Sequence, residues 1–154
     1  MYLISDTGVE SLEGSPERVL NYWCDGCKNL KSFKGLTKHI DGSFIGDHCS
    51  VITLDCEDSV IRRNFSCCRC LSLETLEGCP KQIGEDFSAD NCRSLHSIVG
   101  LPKKLKNLYL SFCPNLRDLT GLPESIEDCL DLHAGYKWDY DYVDSLTNFK
   151  YIML

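Results

Sequence analysis

The sequence predicts an α/β solenoid: a single coil wound about six or seven times, with a strand on one side of each turn and a short 3₁₀ or irregular return leg on the other. Three observations predict it. The stretch Leu105–Pro123, LKNLYLSFCPNLRDLTGLP, holds Leu108 and Leu110 two residues apart, the period of a strand. It then holds Leu116, Leu119 and Leu122 three apart, the period of a tight 3₁₀-like turn, and Gly121 and Pro123 break the chain. Secondly, Cys27, Cys49, Cys70, Cys92 and Cys113 recur at steps of 22, 21, 22 and 21 residues. Thirdly, an apolar residue lies five positions before each cysteine: Tyr22, Phe44, Phe65, Phe87 and Leu108. A coil this short cannot bury its apolar side alone, so its copies must stack.

Taken in order, the elements follow from that phase. Val9, Leu12, Gly14 and Pro16 match Leu73, Leu76, Gly78 and Pro80, so the chain is expected to begin inside its first repeat. The expected strands centre on Tyr22-Trp23-Cys24, Phe44-Ile45-Gly46, Phe65-Ser66-Cys67, Phe87-Ser88-Ala89, Leu108-Tyr109-Leu110 and Leu130-Asp131-Leu132, with the first and third residue of each inward and the middle one outward. The return legs align Leu30, Ile52, Leu73, Leu95 and Leu116, then Phe33, Asp55, Leu76, Ile98 and Leu119, then Gly35, Glu57, Gly78, Gly100 and Gly121. Asp55 and Glu57 depart together, so that leg is expected to be irregular. Residues 1–138 form the repeats of one domain spanning 1–154. The segment 139–154, with Leu146, Phe149 and Tyr151 in one last shortened strand, is expected to cap the open end.

A chain of 154 residues is one domain by ordinary sizes. At 43% hydrophobic and 25% charged residues it reads as folded, with no apolar run long enough for a membrane-spanning helix. The N-terminus has no basic region followed by an apolar run, so a signal peptide is not expected, and the eleven cysteines are expected to be thiols in a reducing, cytoplasmic setting. Cys24-x-x-Cys27 with Cys67-x-x-Cys70 has the spacing of a zinc site, but the repeat sets those pairs two coils apart, about 9–10 Å, too far for one tetrahedral ion. No metal or cofactor is expected.

The pattern L-x-x-L-x-L-x-x-C-x-x-L-x-x-L-x-G-L-P resembles the leucine-rich repeat family over nearly the whole chain, most specifically at Leu105–Pro123 and Ile83–Leu101. The resemblance implies a right-handed coil with its parallel strands on a concave face. It also implies an inward ladder of Cys27, Cys49, Cys70, Cys92 and Cys113 donating to turn carbonyls. Short repeat proteins of bacteriophages and bacteria look similar. That likeness implies a phage-encoded modulator of a host or defence protein, acting in the host cytoplasm.

A solenoid's strand face is an extended binding surface, so the outward columns carry the candidate contacts. One column runs Trp23, Ile45, Ser66, Ser88, Tyr109, Asp131. Two residues on run Asp25, Asp47, Cys68, Asp90, Ser111, His133, and the next column runs Gly26, His48, Arg69, Asn91, Phe112, Ala134. From these, Trp23, Asp25, Ile45, Asp47, His48, Arg69, Asp90, Tyr109, Phe112, Asp131 and His133 are the expected partner-binding residues. The net charge of −7 disfavours nucleic acid and favours a protein partner with a basic patch. No phosphate loop, dinucleotide fingerprint, H-E-x-x-H or G-x-S-x-G occurs, and the one Cys–His pairing, Cys68 with His48, lies in offset columns, so an enzyme is not expected. The expectation is a binding module, monomeric when free, that inhibits or modulates a target protein. The alternatives are a structural or virion-assembly component that associates through edge strands, and, with less support, a zinc protein.

Overall fold

A computed structural model describes residues 1–146 and 149–154. The chain is a parallel β-solenoid. Its larger sheet has eight strands, ordered β1 (Tyr2–Leu3), β3 (Tyr22–Trp23), β5 (Phe44–Ile45), β7 (Phe65–Ser66), β9 (Asp86–Ser88), β10 (Lys104–Tyr109), β11 (Ser125–Asp131) and β12 (Tyr151–Met153). Every pairing in it is parallel. A second parallel sheet, β2 (Arg18–Val19), β4 (His39–Ile40), β6 (Val60–Ile61) and β8 (Gln82–Ile83), runs up the return side. The only helix among the described residues is α1 (Tyr140–Asp144), N-capped by the Asp139 carboxylate.

The larger sheet forms because an aromatic spine fills its inward side. Tyr2, Tyr22, Phe44, Phe65 and Phe87 succeed one another at centroid distances of 4.9, 5.9, 4.7 and 5.4 Å, and Leu108, Leu130 and Ile152 continue the column. The four rings from Tyr22 to Phe87 are fully buried. Such side chains suit a pleated, half-buried surface, and each ring pair adds about 0.5–1.5 kcal/mol beyond its area. Phe33, larger than the residues that match it in other coils, reaches across to Phe44 at 4.8 Å. Gly46 makes room for it, since a Cβ there would lie 2.6 Å from the Phe33 ring.

The return side differs from the expected 3₁₀ legs. The leucines three apart close two successive single turns instead of one short helix: Leu73 N–H bonds Cys70 C=O at 3.0 Å, and Cys79 N–H bonds Leu76 C=O at 3.1 Å. The same pair of turns recurs at Leu30 and Leu36, at Leu95 and Leu101, and at Leu116 and Leu122. After the second turn the chain straightens, because Val19, Ile40, Ile61 and Ile83 are β-branched and face the core from the second sheet.

The leg between Cys49 and Phe65 is irregular, as its sequence implies. It is one residue short after Cys49, so Val51 and Leu54 are the buried pair while Ile52 is 42% exposed, and its turn closes later, Ser59 N–H bonding Cys56 C=O at 3.0 Å. Asp55 is left-handed there too, with φ 50°, one place before the position that Gly35, Gly78, Gly100 and Gly121 hold in the other legs. The final strand also lies later than expected, at Tyr151–Met153. Register with β11 places Ile152 beside inward Leu130. Thr147 and Asn148 of the expected cap lie outside the described residues.

The cysteine column is buried and its sulfurs donate across coils. Cys27, Cys49, Cys70, Cys92 and Cys113 donate to the carbonyls of Ile4, Cys24, Gly46, Cys67 and Ala89 at 3.0–3.3 Å. All eleven cysteines are free thiols, nine of them buried. Burial pushes the Cys113 thiol up to about 12 and also raises the thiols of Cys70, Cys56 and Cys79. The column packs as small buried donors.

Two predictions follow from the stacking. Gly35 and Gly14 share a left-handed conformation, with φ 87° and 86°, but a Cβ on Gly35 would lie 2.4 Å from the Glu13 backbone nitrogen, whereas nothing lies within 4 Å of one on Gly14. Gly14→Ala should cost about 1–2 kcal/mol and Gly35→Ala roughly 1–3 kcal/mol more, read by urea unfolding. Cys70→Ser should melt above Cys70→Leu, because the site holds a small donor to Gly46 C=O and has no room for a larger side chain; the reverse order in calorimetry would reject that role.

Candidate functional site

The outer side of the larger sheet presents one continuous row in register from end to end: Leu3, Trp23, Ile45, Ser66, Ser88, Tyr109, Asp131, Met153. Side-chain alternation along each two- or three-residue strand puts these residues outward. Leu3, Trp23 and Met153 are exposed, and the paired serines make the middle of the row low. Large apolar groups thus flank a shallow centre.

Two residues on, the carboxylates are built into the coils. Asp47 accepts from Ser66 Oγ at 2.6 Å and from Cys68 N–H at 2.9 Å. Asp90 accepts from Ser111 N–H at 2.7 Å, and Ser5 donates to Asp25. Each bond ties one coil to its neighbour where a strand ends and its backbone groups would otherwise lack partners. Burial raises the Asp90 carboxyl above the usual carboxylate range; the Ser111 N–H opposes this and the Asp131 and Asp47 charges add to it. Cys68, half-buried beside these acids, is raised to about 11, chiefly by burial.

The next row turns sharply. Asp6, His48, Arg69, Asn91, Phe112 and Ala134 all have φ between 52° and 60°, and Gly26 has φ 74°. These residues therefore sit in a left-handed turn at the rim of the sheet, not on the flat face that sequence alternation implies. Cross-coil bonds hold the turn: His48 N–H to Cys68 C=O, Arg69 N–H to Asp90 C=O and Phe112 N–H to His133 C=O, at 2.8–2.9 Å. The conformation belongs to the repeat, because every coil adopts it. The residue types do not follow from it. Gly26 and Asn91 are natural occupants of this region, whereas His48, Arg69 and Phe112 each cost about 1 kcal/mol or more there.

The rim and the sheet enclose an open groove of about 640 Å³. Asp47, His48, Arg69, Asp90, Phe112, Asp131 and His133 line it, seven of the eleven residues expected from sequence. Trp23, Asp25, Ile45 and Tyr109 lie outside it, on the sheet beside it. Phe112 meets the His133 ring edge-on at 6.1 Å, and Arg69 Nη1 lies 3.4 Å from His48 Nε2. Beyond His48 and Arg69 the surface turns basic around Lys28 and Arg93. Sequence reading missed Cys68, Asn91, Ser111 and Met153 as lining residues. Met153 was detectable from the repeat, since it stands 22 residues after Asp131.

Among the described residues no group of three or more His, Cys, Asp or Glu side chains is arranged to hold a metal ion. No helix of the described residues is long and apolar enough to cross a membrane. The fold and the face together define a parallel β-solenoid with a mixed acidic, basic and aromatic groove along the strand ends. No family model, curated protein or solved structure matches the chain.

Asp90 supplies a test of the coil-tying acids. Its raised pKa means that the charged form is disfavoured in the native state, so the protein is stabilised as pH falls through the folded pKa toward the ordinary one. At pH 7 Asp90→Asn, which keeps the acceptor for Ser111 N–H and removes the charge, should be neutral or stabilising. Asp90→Ala should cost about 1–2 kcal/mol by leaving that amide unpaired, with chemical denaturation as the measurement.

Proposed function

We propose that this chain is a leucine-rich-repeat type binding module that captures a partner protein on the outer face of its larger sheet and modulates it by occupying it. The observation that carries the reading is the rim: His48, Arg69 and Phe112 keep large polar or aromatic side chains in a backbone conformation that favours glycine. Strain retained against an easier alternative is a mark of function, and Arg and aromatic residues are the usual anchors of protein contacts. The Trp23–Ile45 and Tyr109 apolar groups beside the groove support a partner that lays both apolar and charged groups across several coils. Asp25, Asp47, Asp90 and Asp131 favour basic residues on that partner. Modulation of a host protein by a phage-encoded chain remains part of this proposal, on the repeat pattern alone.

Arg69→Gly separates the two roles. It should raise stability by about 0.5–1 kcal/mol by relieving the left-handed arginine. It should also lose the partner retained by the unmodified protein in affinity capture from its native cells, as should Trp23→Ala combined with Tyr109→Ala at unchanged melting temperature. Full retention by both variants would reject the sheet face as the binding surface.

A further inference from the structure

The second sheet stops at β8. Up to that point the ladder is regular: Ile40 C=O accepts from Arg62 N–H at 2.9 Å, and Ile61 C=O accepts from Gly84 N–H at 3.0 Å. Ile83 holds the same place one coil on, and no donor among the described residues bonds its carbonyl. Lys106 N–H, which should reach it, bonds Glu85 C=O at 2.9 Å instead, and β10 joins the larger sheet.

The break leaves a groove of about 1090 Å³ along β8, on the side of the coil away from the rim. Its floor is apolar, with Val60, Ile83 and Leu101, and its walls are basic, with Arg62, Lys81 and Lys104. Lys103 also lines it, paired with Glu124 at 2.9 Å, and Arg62 lies 3.2 Å from Asp41. Four cationic side chains against one lining carboxylate make this a positive groove on a chain of net charge −7. An unpaired strand edge is a template for another strand. We propose that β8 is the docking edge for an extended acidic peptide segment of a partner protein. The segment adds as a strand, its amide donates to Ile83 C=O, its apolar side chains cover Val60 and Leu101, and its carboxylates meet Lys81, Lys104 and Arg62.

The site is separate from the rim of the larger sheet and stands or falls independently of it. The test is fluorescence polarisation with a short fluorescein-labelled peptide of alternating glutamate and valine. Saturable binding below about 1 mM is expected. Lys81→Glu with Lys104→Glu, both exposed, should weaken it at least about tenfold, whereas Arg69→Gly should leave it unchanged. Two further peptides carry N-methyl groups on the glutamates alone or on the valines alone. One of them must lose at least about tenfold, because alternate amides of a strand face opposite edges. Absence of saturation, equal binding of a lysine–valine peptide, or full binding of both methylated peptides would overturn the proposal.

Discussion

Adjacent coils lie one hydrogen bond apart, and nearly every other feature answers to that spacing. A strand of two residues has no stability of its own; it exists because its N–H and C=O groups are satisfied by the coils on either side. The same spacing forbids bulk wherever backbones face each other, so left-handed turns stack on left-handed turns. The polar groups that the turns leave over are met by short side chains: a carboxylate at Asp47 or Asp90, a thiol at Cys49, Cys70 or Cys92. The column from Cys27 to Cys113 is thus a consequence of geometry. A thiol is small and apolar, yet it can donate to a buried carbonyl.

Because the coils are nearly identical, small departures have large local effects. One residue lost after Cys49 removes the first turn of that leg and leaves a later one, Ser59 N–H to Cys56 C=O. The inward residues of return side and strand stand three apart, not four, at both Val19–Tyr22 and Leu105–Leu108. The first leaves β2 paired with β4; at the second Lys106 N–H bonds Glu85 C=O and the second sheet ends at β8.

The two faces carry different chemistry for the same reason. On the larger sheet, the rim projects His48, Arg69 and Phe112 beside acids that are already bonded to the next coil, so its carboxylates are held in place before any partner arrives. On the return side the outward row of the second sheet is Arg18, His39, Val60 and Gln82, over an inward row of β-branched residues. Arg18 and Arg62 both meet Asp41 there. Where Asp41 has no counterpart, beside β8, the positive charge is left to the groove.

The sequence by itself determined the period, the inward aromatic and cysteine columns, the outward order of Trp23 to Asp131 and the existence of one stacked coil, because a repeat of 21–22 residues with a period-two strand admits few other ways of burying its apolar side. It determined most of the groove's residues for the same reason: columns of a repeat become neighbours whatever the handedness of the coil. Only the tertiary structure decided that the third outward column turns left-handed and forms a rim, since φ depends on cross-coil bonds to residues some twenty positions away. Only it decided that the return legs straighten into a second sheet and that this sheet ends at Ile83. The same three-residue spacing stands at Val19–Tyr22 and at Leu105–Leu108, and only the cross-coil bonds decide that the first keeps its place in the second sheet and the second does not.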